Sequence, residues 1–507
     1  MSQAEWAEYK TLVKMVEGDD LLHPEATRSL EHGVRADGLS FAEEFQRIFL
    51  DDSGKQDAEK NRRRFRTPFQ LETDKITASP FFQRLAMKTQ LFVGTGQHVS
   101  IYSRLAHSLG VSYLARSLAQ KLKLNAQLAE GIALAHDIGQ PAFAHKGEET
   151  LQEWLKTLIE RGKNEKAGDE KVKDEKVKNE EGKKEERKLD PATFAAMKKT
   201  CFTLRKDKEE KDGKIFQHGT QGVRLLLRFK EAERFSRQLL YGIWRHSRKV
   251  ETEDDKDETF EYEDVVSGHT VSLIGKRDCS PELRLVRYVD DVVVVVKDIM
   301  SCKMQGSLSG KDHSTLLGTL DNYPLAREAF KDALDAPDAD GTALYTFFSE
   351  CPIGVYGEED HGKTDEMATS IKKGTIKFKV YNDGPAPYDG PMVLEHFRKH
   401  YMKVHLYPEA ALKRADALCQ SRIAGAADFY FVETEALRQD CESLVRYGFC
   451  FPRNFELLKK PNTDEKVKKI YDATNVIDFL ALLTDFEFHR LETSESLGES
   501  SWPKIKK

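Results

Sequence analysis

The sequence predicts an all-α protein, mainly helical, with a minor β hairpin and charged loop insertions. Apolar residues recur three and four positions apart in several long segments, which is the pattern of helices that bury one face. Apolar residues make up 39% of the 507 positions, enough to build a core at this length. Charged residues make up 32%, which indicates a heavily charged periphery.

The helical period is clearest at 103–122, 126–139, 220–246 and 283–300. The last segment contains a run of valines, which favour strands by propensity. Its charged residues do not alternate as a half-exposed strand requires, so a helix is predicted. The best strand candidate is TIKFKVYND at 375–383, beside a turn rich in Pro and Gly, and it predicts a small hairpin.

The chain is predicted to have an N-terminal helical segment, a catalytic core and a C-terminal helical region that completes the core and contributes to oligomerisation. Their boundaries are 1–60, 61–310 and 311–507. A Lys/Glu-rich insertion at about 160–214 is almost purely charged and is expected to do no chemistry. The acidic run at 250–264 and the Gly-rich stretch at 354–366 are predicted to be surface loops.

Charge and cysteine usage exclude several classes of protein. A net charge of −6 gives no overall reason to expect nucleic acid or an anionic membrane as partner. The seven scattered cysteines lack CxxC spacing, which excludes a disulfide framework or a zinc ribbon and indicates a reducing compartment. No signal peptide pattern opens the sequence, and its longest apolar stretch is too short to cross a membrane. A cytoplasmic protein is therefore expected.

Four side chains from separate segments suggest a metal site. His136 and Asp137 end an apolar helix, just before a Gly and a Pro that cannot continue it. His107 lies on an amphipathic helix, and Asp290 lies in an otherwise apolar one, where a charged carboxylate is costly without a cation. A single buried histidine is more often a core residue. Two imidazoles with two carboxylates suit Mn, Fe, Co, Ni or Zn and accept Mg, with positions left for water and phosphate.

With its order H…HD…D, this set resembles the HD superfamily of metal-dependent phosphohydrolases and, within it, the dGTPase-type deoxynucleoside triphosphate triphosphohydrolases. Further segments are similar to that family in the same order. They are RTPFQLETDKITASPFFQRLAMKTQLF (66–92), SRLAHSLGVSYLARSLA (103–119), HDIGQPAFAHKGEE (136–149), FQHGTQGVRLL (216–226), YVDDVVVVVKD (288–298) and VIDFLALLTD (476–485). The resemblance implies hydrolysis of a dGTP-like deoxynucleoside triphosphate to deoxynucleoside and inorganic triphosphate. It implies a divalent cofactor, Mn²⁺ or Mg²⁺ or another first-row metal.

The resemblance also implies a proton-transfer group. His145 and Glu148 follow the HD pair at helical spacing, where the carboxylate can orient the imidazole and raise its basicity. In the family such a pair serves proton transfer during attack at the α-phosphorus. His218 is a further phosphate-facing histidine by resemblance, with an exposed helix-cap histidine as the alternative.

Substrate contacts are implied at five positions, which are Gln90, Arg104, Gln140, Arg245 and Asp298. Arg104 shares a helix face with His107 and can hold phosphate oxygens bidentately, with a surface Arg that pairs with an acid as the alternative. Asp298 and Gln90 correspond to residues that read the deoxyribose 3′ hydroxyl. Arg245, with the neighbouring His246 and Lys249, adds cations for the triphosphate, unless these residues only cap their own helix end.

Two positions depart from the family pattern. Gln140 stands where many members carry His, and Gln donates a hydrogen bond but does not shuttle a proton near neutral pH. Val294 stands where the family commonly has a Tyr under the sugar, which concerns discrimination against ribonucleotides.

Other functions fit the same residues. One is an HD phosphohydrolase acting on an alarmone or a cyclic dinucleotide, although alarmone hydrolases usually carry acidic residues where this chain has IGQPAFAH. Another is a catalytically weakened nucleotide sensor, which binds nucleotide without turnover. The family further implies a homo-oligomer of four or six chains with nucleotide effector sites between subunits. The acidic balance disfavours binding of single-stranded DNA.

Overall fold

The computed structural model describes the part of the chain that surrounds the predicted metal residues. The described residues are 68–89, 103–121, 124–164, 216–227, 235–246, 258–263, 270–275 and 281–304, with parts of 308–350, 413–440 and 476–488. The predicted N-terminal segment, most of the Lys/Glu-rich insertion, the Gly-rich stretch at 354–366 and the strand candidate at 375–383 lie outside them. The described part is helical apart from one two-stranded hairpin, which confirms the all-α fold class.

The described α-helices are α1 Pro68–Ala78, α2 Pro80–Arg84, α3 Arg104–Lys121, α4 Ala126–Ala135, α5 Ala144–Asn164, α6 His218–Leu227, α7 Arg237–Arg245, α8 Pro281–Met304, α9 Gly310–Gly318, α10 Pro324–Asp335, α11 Thr342–Glu350 and α12 Gly425–Val432. A 3-10 turn spans Leu85–Met87, a π-helical turn spans Gln420–Ala424, and 476–482 is helical. None of these helices has the length and apolar character that a bilayer span requires.

Helix α4 lies at the centre of the fold. Its residues are small or apolar and are buried on nearly all sides, and α1, α3, α7 and α8 pack against it. Asn125 caps its start, because the side-chain oxygen accepts hydrogen bonds from the backbone N–H groups of Gln127 and Leu128. The helix ends at Ala135, so the next two residues leave it in a tight turn.

The valine-rich segment forms α8, which confirms the predicted helix. Val289, Val292, Val293 and Val296 are buried in the core against α3 and α4. Burial of each such side chain contributes about 1.5–3 kcal/mol to the hydrophobic stabilisation. Because α3, α4 and α8 pack together, the residues that these helices carry at one end of the cluster are brought into contact.

The segment predicted as helical over 220–246 contains two helices rather than one. Ser236 has an extended backbone, with φ −66° and ψ 148°, and its side chain accepts a hydrogen bond from Leu239 N. A serine that caps a new helix therefore overrides the continuous apolar period. Glu72 of α1 fixes this cap by accepting hydrogen bonds from the N–H and hydroxyl of Ser236.

The prediction of a surface loop at 250–264 is wrong for the second half of this acidic run. Strand β1, Glu258–Glu263, pairs antiparallel with β2, Thr270–Gly275, so that Glu258 lies opposite Gly275. The sequence of β1, ETFEYE, contains Thr, Phe and Tyr, which are strand-favouring types. These residues outweigh the high charge of the run.

Candidate metal centre

Four donor atoms from α3, α8 and the turn after α4 converge. His107 Nε2 lies 2.8 Å from Asp290 Oδ1 and 3.9 Å from Asp137 Oδ2. His136 Nε2 lies 3.4 Å from Asp137 Oδ2 and 3.7 Å from Asp290 Oδ1. Ligands about 2.1 Å from one ion lie about 3.0–3.4 Å apart at octahedral or tetrahedral angles. The structure therefore brings together the four residues that the sequence predicts as metal ligands.

The histidine geometry suits a cation. His136 Nδ1 lies 2.6 Å from Ala133 O, and because a carbonyl only accepts, the N–H of this nitrogen donates. The other nitrogen, Nε2, is buried and has no hydrogen-bond partner among the described residues, although two carboxylates lie nearby. A ring held by a backbone carbonyl, with its second nitrogen facing carboxylates, is the usual state of a metal-binding histidine.

The electrostatics of the cluster favour positive charge. Burial opposes protonation of His136, but the carboxylates of Asp137 and Asp290 outweigh it and raise its pKa to about 9. Burial alone would raise the pKa of Asp137, yet Arg104 and His136 hold it well below its usual range. The carboxylate thus stays charged at neutral pH, and a cation that binds His136 must displace a proton.

The cluster is buried except on one side. His107, His136 and Asp137 are almost fully buried, whereas 30% of the Asp290 side chain is exposed. Arg104 is also buried, and its Nη1 donates to Asp137 Oδ2 at 2.5 Å. The alternative of Arg104 as a surface residue is therefore wrong. A substrate can approach the carboxylates from the side of Asp290.

A second polar group adjoins this cluster. Glu148 Oε2 accepts a hydrogen bond from His218 Nδ1 at 2.9 Å, and Oε1 accepts one from His218 N at 3.1 Å. His145 Nδ1 lies 3.4 Å from Glu148 Oε2, and 70% of its side chain is exposed. The predicted pair of His145 and Glu148 is thus present but loose, and Glu148 holds His218 more firmly. His218 is a buried residue, not an exposed helix cap.

The prediction that His246 is a further cation beside Arg245 is wrong. His246 is buried, its Nδ1 donates to Ile243 O at 2.6 Å, and its Nε2 lies 3.0 Å from His218 Nε2. Burial, then the charges of His218 and His136, lower its pKa to about 3, so the ring is neutral. Arg245 is half-buried, with its guanidinium 5.9 Å from the centre of the Trp244 ring.

The remaining predicted substrate residues lie in different surroundings. Gln140 is fully buried, and neither polar atom of its amide has a hydrogen-bond partner among the described residues. Asp298 is buried in α8, two helical turns after Asp290. Gln90 and Lys249 lie outside the described residues, and Val294 is half-buried. Burial of an amide without hydrogen-bond partners costs about 1–3 kcal/mol of stability. Such an unsatisfied amide is typical of a site where a ligand supplies the missing partners.

Gly139 sets how closely the turn after α4 approaches α6. A Cβ at this position would lie 2.1 Å from His218 O and 2.3 Å from Gly222 N. Only glycine allows this contact, which places Asp137 beside His218. The distance from Asp137 Oδ1 to His218 Nε2 is 3.9 Å.

Lys88 joins the turn to the C-terminal segment. Its buried Nζ donates to Gln140 O and to Ala481 O, both at 2.6 Å. Burial, with a further contribution from the charge of Arg84, lowers the pKa of Lys88 from 10.5 to about 7. The unfolded chain therefore binds more protons at this residue between pH 7 and 10.5, and its contribution to stability rises with pH across that window.

We expect the unfolding free energy of the wild type, minus that of Lys88→Met, to increase from pH 7 to pH 9. The slope is at most about 1.4 kcal/mol per pH unit. The difference isolates Lys88, because His136 and the other titrating groups are common to both proteins. Urea unfolding at pH 7, 8 and 9 measures it, and a difference that does not change with pH would contradict the lowered pKa.

Comparison with known proteins agrees with this site. An HD-domain family model matches residues 104–197, which include His107, His136 and Asp137. Among curated relatives, the deoxyguanosinetriphosphate triphosphohydrolase-like protein of Pelagibacter ubique is 49% identical over 92 residues, 18% of this chain and 24% of that protein. A protein of the same name from Caulobacter sp. strain K31 is 48% identical over 95 residues, which are 19% of this chain and 24% of the relative.

A third relative of the same name, from Caldanaerobacter subterraneus, is 47% identical over 92 residues, 18% of this chain and 26% of the relative. The chain thus matches about a quarter of the length of these curated relatives. Residues 104–197 of this chain therefore match the HD domain, and the chain is similar to deoxyguanosinetriphosphate triphosphohydrolase-like proteins over 92–95 residues.

Proposed function

We propose that this protein hydrolyses a deoxynucleoside triphosphate, such as dGTP, to deoxynucleoside and inorganic triphosphate. The proposed ligands of a divalent cation, Mn²⁺ or Mg²⁺, are His107, His136, Asp137 and Asp290. The observation that carries the proposal is the convergence of their donor atoms from α3, α8 and the turn after α4, with 2.8–3.9 Å between each histidine Nε2 and the two carboxylates. The names of the relatives support the choice of substrate class.

The reaction breaks the bond between the α-phosphorus and O5′ and forms a bond from a water oxygen to that phosphorus. A bound cation polarises the phosphate and activates the water. Arg104, beside Asp137, is placed to neutralise charge that develops on the phosphate oxygens. The proton that O5′ needs comes from the group of His145, Glu148 and His218 in this proposal. Burial raises the pKa of Glu148, but the neighbouring histidines outweigh burial and lower it well below its usual range, so Glu148 stays an acceptor.

The position of Asp298 supports the proposal that the substrate is a nucleotide. It follows Asp290 by eight residues on α8, which is about 12 Å along the helix axis. That separation is comparable to the distance between a metal-bound α-phosphate and the sugar of the same nucleotide. Asp298 is therefore proposed to contact the 3′ hydroxyl, and the buried amide of Gln140 is proposed to bind the substrate.

The test is to incubate the full chain with Mn²⁺ and each deoxynucleoside triphosphate in ¹⁸O-labelled water and to separate the products. We expect deoxynucleoside without label and triphosphate with one labelled oxygen. Formation of monophosphate and pyrophosphate, or turnover of alarmones or cyclic dinucleotides in its place, would overturn the proposal. Binding without turnover of any nucleotide would favour a sensor. The assembly of four or six chains stays a prediction, which sedimentation velocity can check.

A further inference from the structure

The hydrogen bonds of Lys88 go to backbone carbonyls instead of a carboxylate. The side chain is buried, and its Nζ donates to Gln140 O and to Ala481 O, both at 2.6 Å. Burial, followed by repulsion from the charge of Arg84, lowers its pKa to about 7, which shows that the charged form is costly here. An apolar side chain of similar size would avoid this cost. The lysine is therefore better explained by the groups that it holds in place.

Lys88 and Arg104 hold the two ends of the turn after α4. Their backbones are joined, because Lys88 O accepts a hydrogen bond from Arg104 N at 2.9 Å. The guanidinium of Arg104 donates to Asp137 at the start of the turn, and Nζ of Lys88 donates to Gln140 O at its end. The junction before α3 thus fixes both ends of the turn.

Gln140 depends on this contact for its orientation. Neither polar atom of its side-chain amide has a hydrogen-bond partner among the described residues. Its backbone N–H donates to Asp137 O at 3.0 Å, and its backbone carbonyl accepts from Lys88. Hydrogen bonds of the main chain alone therefore determine where the buried amide lies.

The helix at 476–482 anchors Lys88 from the other side. The last carbonyls of a helix have no partner within it and carry partial negative charge. Ala481 O is one of them, and its bond to Nζ of Lys88 holds the amine in one place. Because the amine is fixed at both carbonyls, it acts as a rigid spacer between the helix end and Gln140.

We propose that Lys88 is a positioning residue, which sets the distance between Arg104 and the side-chain amide of Gln140 and so shapes the phosphate-binding side of the site. The inference rests on the substrate contacts proposed for these two residues. Lys88 itself acts through Gln140 and does not contact the substrate. Supporting residues hold such groups to within about 0.5 Å, and a displacement of about 1 Å can lower a rate by about 10²-fold.

The experiment is a double-mutant cycle of Lys88→Met with Gln140→Ala in the full chain, with kcat and KM measured for dGTP in Mn²⁺. Methionine keeps most of the length of the lysine side chain but donates no hydrogen bond. We expect Lys88→Met to lower kcat/KM by about 10²-fold in the wild type. In Gln140→Ala the same change should lower it less than about threefold, because the amide to be positioned is absent. An equal loss in both backgrounds, or no loss in the wild type, would overturn the proposal.

Arg84→Met is the matched control. Arg84 Nε donates to Leu482 O at 2.8 Å, beside the carbonyl that Lys88 holds, and its guanidinium pairs with Glu487. This variant removes a cation from the same helix end and keeps the bond from Lys88 to Gln140. Its kcat/KM should therefore stay within about threefold of the wild type. A loss as large as that of Lys88→Met would overturn the proposal, since it would assign the effect to the helix end.

A binding measurement separates this inference from the proposed function. If the wild type hydrolyses no nucleotide, the same cycle is measured as affinity for inorganic triphosphate in Mn²⁺ by titration calorimetry. Coupling between positions 88 and 140 in that affinity would support the positioning role while the proposed function fails, and additive losses would overturn both. No binding of triphosphate by the wild type would also overturn both.

Urea unfolding shows whether each variant folds. If Lys88→Met does not fold, Lys88→Gln takes its place in the cycle, because it keeps N–H donors on a shorter side chain. The criterion is unchanged: a loss in the wild-type background that largely disappears in Gln140→Ala supports the proposal, and an equal loss in both contradicts it.

Discussion

Asp137→Asn is expected to abolish the proposed triphosphohydrolase activity, with a loss in kcat/KM on the order of 10³-fold or more. One charged carboxylate here contacts Arg104, lies 3.4 Å from His136 Nε2 and faces His218 through its other oxygen. The amide keeps the size of the side chain and an acceptor for Arg104 but removes the charge that attracts a cation. We therefore expect bound Mn²⁺, measured by mass spectrometry of the dialysed protein, to fall in parallel with activity.

The matched control uses two adjacent residues of α8. Asp290 lies 2.8 Å from His107 Nε2, whereas Asp291, the next residue on the helix, is not one of the four proposed metal ligands. Asp290→Asn should lose metal and activity, and Asp291→Asn should keep both. Thermal melting of each variant controls for folding. Full activity in Asp137→Asn with normal metal content would contradict the assignment of this cluster as the active centre.

The four converging residues could be predicted because three of them have a local signature and the order H…HD…D adds His107. His136 and Asp137 precede a Gly and a Pro that end the helix, and Asp290 stands out as an acid among valines. His246 has no such signature. Its sequence neighbours are basic, so it looks like one more cation, and only burial beside His218 and His136 makes it neutral. Burial arises from packing between α6, α7 and the turn after α4, which periodicity does not reveal.

Hydrogen bonds between residues far apart in the sequence could not be predicted either. Asp485 lies 342 residues after Phe143 and accepts its backbone N–H at 2.9 Å. The segment around Asp485 resembles a helix of the family, but nothing in its pattern predicts a role for the carboxylate. A carboxylate after an apolar helix is common at protein surfaces. Its hydrogen-bond partner is the backbone N–H of Phe143, and the sequence of side chains does not indicate a contact with a backbone group.

The hydrogen bond between Phe143 N and Asp485 lies in a strained stretch of backbone. Phe143 and Ala144 have positive φ angles of 62° and 58°, in the left-handed region that residues with a Cβ disfavour. Each such residue costs about 1–2 kcal/mol. Asp485 Oδ1 accepts from Phe143 N, and its Oδ2 accepts from the N–H of Thr89 at 3.0 Å and from its hydroxyl at 2.6 Å. The carboxylate thus holds a strained turn that ends one residue before His145.

We expect Asp485→Ala to lower the free energy of unfolding by about 3–5 kcal/mol, because it removes three hydrogen bonds and leaves the buried Phe143 N–H without this acceptor. Urea unfolding measures this loss. In the fraction that remains folded, kcat should fall because His145 follows the turn, whereas metal content should persist because His136 and Asp137 precede it.

Asp485→Asn is the conservative control. Its amide oxygen can still accept from Phe143 N, but its NH₂ group faces the two donors of Thr89, so the loss of stability should be smaller and kcat should partly recover. Loss of metal in Asp485→Ala at normal stability would contradict this account, since it would mean that the carboxylate supports the metal cluster directly. A fall in kcat with unchanged metal content would place the effect on the turn. The C-terminal segment would then be part of the catalytic unit, because the backbone that presents His145 adopts its strained conformation only while Asp485 accepts its hydrogen bond.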